Sequence, residues 1–389
     1  MWYKTLLALL LVCLMPALAA SQAGYLVMDL GPLSPTGINT WDQVVGTYNN
    51  QAYVWTFGRM RPLGTLAGGT SSSAAAINDL GVVTGTADGS GTVISPDPSI
   101  SNQECSDLTQ PFVWTQKKGM QGLGTVGDDN NPTSFWCETP FYASGINFLD
   151  QVVGYTSIYE VTYQFGFLWS HTGGMTLFGG SWPPTIANGV SDSGEIVGES
   201  TTFELFSNNI LGHATSWKNG IATDLGTLGG GANVLDYGSS ANGVSSRGQV
   251  VGWSNTAPAS DEYPGSPLFT MHAVLWTNSG RIRDLGTLPG DAFSVALKIN
   301  FFGQVIGSSG DTVAGGGSPF VGSPITVIGR PFIWSRTKGM QDLNTLIPDR
   351  SGWVLNSVAD INALGHIVGS GTHDGETHGF LLIPSVFGD

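Results

Sequence analysis

Apolar and polar positions alternate over runs of roughly four to seven residues, and Gly, Asn, Asp and Ser separate the runs. This is the pattern of short strands joined by tight turns, and helical periodicity is absent throughout. One phrase recurs along the chain. It reads INTWDQVVG from Ile38, INDLGVVTG from Ile77, INFLDQVVG from Ile146 and VSDSGEIVG from Val190, and it returns as VSSRGQVVG from Val244, INFFGQVIG from Ile299 and INALGHIVG from Ile361. A second phrase ends in Trp at 55, 114, 169, 217, 276 and 334, with Leu382 in the seventh copy. A third, of the form GMQDLGTL, follows each Trp and is missing after Leu382.

Each unit reads as four strands in an antiparallel meander. A small apolar strand comes first, and its turn is capped by Asn or Ser. A Val-rich strand, the Trp strand and the GMQDLGTL strand follow. Four-stranded units repeated in one chain predict an all-β fold, a seven-bladed β-propeller of four-stranded antiparallel blades. The opening segment YLVMDLGPL, residues 25–33, matches the phrase that the last unit lacks. The ring is therefore expected to close by pairing of the N-terminal strand with the C-terminal blade. An open solenoid or a two-sheet β-structure is the alternative. The propeller is expected over 24–384, with a short tail at 385–389.

The phrases HAVLW (His272 onward), DLGTLGG (Asp224 onward) and VSSRGQVVG resemble the HAF-repeat family of predicted extracellular proteins, which takes its name from a His-Ala-Phe triplet. The nearest versions here are His213-Ala214-Thr215, His272-Ala273-Val274 and His378-Gly379-Phe380. The resemblance covers nearly the whole chain after its leader. It implies secretion, a bacterial source and a repeated β-fold, without an established reaction or ligand.

The leader itself has a positive start at Lys4, the short apolar run LLALLLVCLMPALAA and the small-residue ending Ala17-Leu18-Ala19. It reads as a signal peptide over 1–19, with Ala23 a second cleavage position, because the run is too short to span a bilayer. The mature chain is expected to be secreted, with the periplasm or the cell surface as alternative destinations and no membrane insertion. Charged residues make up 11% of the chain and the net charge is −15, which argues against nucleic acid as a partner. Cys105 and Cys137 remain after leader removal, and an exported chain predicts that they form a disulfide; free thiols are the alternative.

Insertions fall at 87–110, 127–140, 199–212, 253–271 and 308–330, all in the second-to-third-strand loops or the links between units. These share one face of the disc, which is the expected binding side. Trp136, Tyr155, Trp182, Trp253 and Trp353 depart from the repeat and map to that face as candidate ligand-binding residues. The alternative is that they pack under their own loops. Lys298 and Asp360 interrupt the small innermost strands at one repeat position in adjacent units and form a candidate channel pair, structural or solute-orienting.

Catalytic signatures are thin. The segment HDGETH offers His373, Glu376 and His378, but the spacing matches no strong zinc pattern. No catalytic residue, metal or cofactor is assigned. The expected function is a monomeric, non-catalytic binding module for an extracellular glycan or protein. The alternative is an exported polysaccharide hydrolase or lyase with its site at the channel mouth.

Overall fold

A computed structural model describes residues 24–94, 101–126, 140–158, 163–179, 185–201, 212–229, 238–256, 270–314 and 326–385. The leader, Trp136, Cys137 and Trp182 lie outside the described residues.

The described residues form an all-β propeller with eight sheets. Sheet 1 comprises Ser34–Ile38, Val44–Tyr48, Gln51–Thr56 and Arg59–Gly64. Sheet 2 comprises Ser72–Ile77, Val83–Ala87, Gln110–Thr115 and Gly119–Gly122. Sheet 3 has three strands, Gly91–Ile94, Gln103–Cys105 and Thr125–Val126. Sheet 4 runs from Phe141–Ile146 through Val152–Ile158 and Tyr163–Ser170 to Gly174–Phe178. Sheet 5 holds Thr185–Val190, Ile196–Thr201, Gly212–Lys218 and Ile221–Asp224. Sheet 6 holds Ser239–Val244, Val250–Asn255, Met271–Trp276 and Ile282–Gly286. Sheet 7 holds Phe293–Ile299, Val305–Ala314, Thr326–Ser335 and Gly339–Asp342. Sheet 8 takes Trp353–Ile361, Ile367–His373 and Glu376–Pro384 from the C-terminal end and Tyr25–Asp29 from the N-terminal end.

The expected count of seven sheets is corrected to eight, and not every sheet has four antiparallel strands. Sheet 3 is built largely from the 87–110 insertion, which the repeat pattern treats as loop. Its β-branched run Thr92-Val93-Ile94 pairs antiparallel with Gln103–Cys105 and parallel with Thr125–Val126. Val93, Cys105 and Leu108 bury a small core of their own. Sheet 3 adds no strand to the inner ring, where the first strands of the other sheets touch in sequence from sheet 1 round to sheet 8 and back to sheet 1.

That ring is fastened by the repeat's own polar residues. In the first turn of sheet 4, the Asn147 side-chain oxygen accepts from the N–H groups of Leu149 and Gln151, both at 3.0 Å. Its amide nitrogen donates to the Ser191 carbonyl in the next sheet at 3.0 Å. Asn39, Asn78, Asn300 and Asn362 repeat the arrangement, donating to the carbonyls of Asn78, Asn147, Asn362 and Asn39. The bond from Asn362 to Asn39 closes the circle. Ser191 and Ser245 keep the turn-capping bond, each accepting from the residue four positions on at 3.1 Å. Their short side chains cannot extend the chain of amides.

The degraded triplet has a physical meaning in each position. The His Nδ1 of His213 and His378 pairs with a fourth-strand aspartate, Asp224 at 2.8 Å and Asp29 at 3.0 Å, and His272 pairs with Asp284 at 2.9 Å. Each Asp also accepts from a Gly N–H two residues on, which fixes the turn. Sheet 7 puts Arg330 where the His would be and still reaches Asp342 at 3.2 Å. The second position is tightly covered: the N–H groups of Ala52, Ala214 and Ala273 donate to Ser72, Ser239 and Ser294 of the following sheet. Those serines then donate back to the carbonyls of Gly64, Gly226 and Gly286, at or just after the fourth strand of the preceding sheet. At the third position Phe112, Phe167, Phe332 and Phe380 lie over Gly85, Gly154, Gly307 and Gly369. A Cβ on any of these glycines would strike both the ring and a neighbouring strand's backbone.

The ends meet as the sequence suggests. Tyr25–Asp29 runs antiparallel to Glu376–Pro384, with Tyr25 opposite Pro384 and Asp29 opposite Phe380. The Trp set at 55, 114, 217, 276 and 334 is buried between sheets, as its repeated position implies. Arg61 and Arg283 cover Trp114 and Trp334 at 5.3 and 4.9 Å.

Asn147 is 2% exposed, so its loss strands buried donors and acceptors. Urea denaturation should show Asn147→Ala destabilised by about 3 kcal/mol, from unsatisfied groups at about 1–3 kcal/mol each. Asn147→Ser, which copies sheets 5 and 6, should cost clearly less.

Candidate functional site

The described candidate aromatics do not form an open rim. Tyr155, Glu199 and Trp253 share one repeat position, directly after the repeat glycine in the second strands of sheets 4, 5 and 6. That position points into the layer between adjacent sheets. Trp253 is 9% exposed and packs with Met271, Val295 and Val327, so its assignment as a ligand-binding residue is corrected to a packing role. Tyr155 is half-buried against Tyr142, with ring centroids 5.5 Å apart. Burial, with Tyr142 beside it, raises its pKa. Trp353 is half-buried and stacks on His373 at 4.6 Å with the rings 6° from parallel. Cys105 is buried in sheet 3.

The channel pair is anchored in backbone bonds. The two carboxylate oxygens of Asp360 accept from the N–H groups of Ile38, at 3.1 Å, and Ile361, at 2.9 Å. The Ile38 bond ties sheet 8 to sheet 1. Burial raises the Asp360 pKa, and the Lys298 charge opposes that rise. This favours the structural reading of the pair.

Glu199 escaped notice because only aromatics were sought at its repeat position. Its side chain lies where sheet 5 meets sheet 6. Burial pushes its pKa to about 7, against the opposing effects of a Ser240 hydrogen bond and the neighbouring His213. His213 in turn holds Asp224. The His213–Asp224 pair thus contributes to the electrostatic surroundings of Glu199, a buried carboxyl that titrates near neutrality.

Exposed apolar groups collect on the opposite face, where the repeat turns lie. Trp41 (67% exposed), Leu80, Leu149, Phe302 (69%) and Leu364 occupy the same turn position in sheets 1, 2, 4, 7 and 8. Ser193 and Arg247 stand there in sheets 5 and 6. Trp41 is held in place: its indole N–H donates to the Asp79 carbonyl at 3.0 Å, and the Thr40 N–H donates to the Asp79 carboxylate at 2.8 Å. Arg247 caps the Phe301 ring at 4.0 Å. Beside Leu80 a groove of about 820 Å³ separates sheets 1 and 2, lined among others by Phe57, Met60, Arg61 and Trp114. These turn positions are visible in the sequence, but their short lengths drew attention to the other face.

A carboxyl whose folded pKa is raised favours the fold below its unfolded pKa and loses that contribution as pH rises through the folded value. For Glu199 the window runs from its ordinary value of 4.5 to about 7. Denaturation midpoints of the wild type should therefore fall between pH 5 and pH 8 relative to Glu199→Gln, which lacks this titration.

No protein-family model matches this chain, and no curated protein matches it. Solved structures do resemble it in fold. An oligogalacturonate lyase in complex with manganese aligns over 94% of this chain and 95% of its own, at 12% identity and a TM-score of 0.51. An oligogalacturonate lyase from Vibrio parahaemolyticus aligns over 92% and 93%, at 9% identity and a TM-score of 0.46. The first of these likenesses supports the propeller architecture of the chain.

Proposed function

We propose that the protein is an exported, non-catalytic binding module that holds a glycan against its short-turn face. The observation that carries this reading is the arc of exposed apolar turn tips, with Trp41 fixed at its edge by the bond from its indole N–H to the Asp79 carbonyl. A flat, preoriented indole stacks on the C–H face of a sugar ring, while nearby polar groups meet the hydroxyls. Asp79 and Arg247 supply such groups here. The long-loop face offers less among the described residues, since Trp253 is buried and Trp353 already stacks on His373. Export rests on the leader sequence, and among the described residues no helix is long and apolar enough to cross a membrane. The likeness to HAF-repeat proteins is part of the same proposal.

A second reading, an exported polysaccharide lyase or hydrolase, is favoured by the near-neutral carboxyl of Glu199 beside the His213–Asp224 pair. Fold likeness to an oligogalacturonate lyase is compatible with it. Turnover of a polysaccharide that Glu199→Gln abolishes would replace the binding reading.

A glycan array probed with the mature protein should give hits without cleavage. Trp41→Ala should weaken the best hit about tenfold, which corresponds to roughly 1.4 kcal/mol. Binding that Trp41→Ala and Phe302→Ala leave intact would contradict the assigned face.

We also propose that Cys105 and Cys137 form a disulfide in the exported chain. Reduction and alkylation should then shift the intact mass by two alkyl groups relative to alkylation alone.

A further inference from the structure

Sheet 8, like sheet 1 with its Asn49-Asn50 turn, has a tight hairpin between its second and third strands. Its second and third strands are joined by the two-residue turn Asp374-Gly375, both in the left-handed region with φ of 50° and 85°. This turn sets His373 opposite Glu376, and His373 is also opposite Trp353 in the first strand. His378 lies two residues beyond Glu376, and Asp29 pairs with Phe380, two residues further on. Directly opposed residues, and residues two apart on a strand, share a face. Register alone therefore brings Trp353, His373, His378 and Asp29 to one side of the sheet.

The side chains converge there. His378 Nδ1 lies 3.0 Å from both carboxylate oxygens of Asp29. His373 Nδ1 lies 3.5 Å from Asp29 Oδ2. One ligand atom from each of the three residues falls within 4.8 Å of the others. Ligands at about 2.0–2.1 Å from a tetrahedral ion are about 3.3 Å apart, which the two separations from Asp29, 3.0 and 3.5 Å, already approach.

Three further observations favour an ion over a merely structural contact. The pairs His213–Asp224 and His272–Asp284 perform the structural task with one His each, so His373 is surplus to the repeat. Both imidazoles turn Nδ1 toward Asp29 and Nε2 toward a second carboxylate. Glu376 lies 3.6 Å from His378 Nε2, and Asp374 lies 3.9 Å from His373 Nε2. These contacts are longer than hydrogen bonds, and they place a carboxylate within reach of each outer nitrogen, where one orients a metal-bound histidine. Trp353 stacked on His373 fixes the plane of that ring.

We propose that Asp29, His373 and His378 bind a zinc-class divalent ion, with water completing the coordination, and that this ion staples the N-terminal strand to the C-terminal hairpin. Two nitrogens and one carboxylate favour zinc or cobalt over manganese or magnesium. The three residues are partly exposed, which gives the ion a route in from solvent. The ion bridges residues more than three hundred positions apart and stabilises the closed ring by binding it alone.

The test uses the mature protein stripped with chelator. Calorimetric titration with zinc should give one site per chain, zinc should raise Tm, and cobalt should give the visible ligand-field band of a four-coordinate site. His373→Ala should lose the band and the Tm shift while keeping the His378–Asp29 pair. His272→Ala should keep both, because its pair has no second histidine. If His373→Ala fails to fold, His373→Gln is read in the same way. Absence of a zinc-dependent Tm shift and of the cobalt band in the wild type would overturn the proposal. So would a shift that survives loss of His373.

Discussion

The architecture depends on one side chain used repeatedly. An asparagine at the end of the first strand caps its own turn through its oxygen and reaches the next sheet through its nitrogen. Neither serine nor aspartate can do both, because serine is too short and aspartate has no donor. Adjacent sheets pack on one another through large apolar side chains such as Leu63 against Trp114 and Leu285 against Trp334, a packing without direction of its own. The amide bond adds direction to that packing and sets the spacing between turns. Where Ser191 and Ser245 break the chain of amides, Asn188 and Asn242 donate to the carbonyls of Ala241 and Ala296 on the inner strands and replace the missing ties.

A second layer of ties lies further out. The His–Asp pairs lock third strands to fourth strands, and buried serines join sheets 1, 5 and 6 to the sheet that follows each. Glycine beneath phenylalanine then allows the second and third strands to lie flat under an aromatic lid. These constraints fix the repeat tightly and leave the turn tips free to vary. Among the described residues, apolar side chains such as Trp41 and Phe302 gather at those tips on the short-turn face.

Much of this was legible in the sequence. The repeated Asn, Gly and Trp positions announce the strands, and the stray YLVMDLGPL announces the closure. Sheet 3 was not legible, because two of its three strands come from an insertion without a repeated counterpart. For Trp253 the sequence left a binding role and a packing role open, because strand alternation does not say which side faces the neighbouring sheet; its burial selects packing. Glu199 stood at a recognised position but had the wrong chemistry for the search. The meeting of Asp29 with His373 and His378 needed three-dimensional register, since the HDGETH segment shows only two of the three groups. Glu376, grouped with them by sequence, stands behind His378 instead.

If the ring is one cooperative body, its closing strand cannot be looser than the sheets it joins. Hydrogen–deuterium exchange read by mass spectrometry on peptides spanning 25–29 and 376–384 tests this most directly. The account predicts protection comparable to that of the central strands of sheets 4 to 7, lost only with global unfolding. Rapid exchange confined to 25–29, with the remaining sheets still protected, would contradict it.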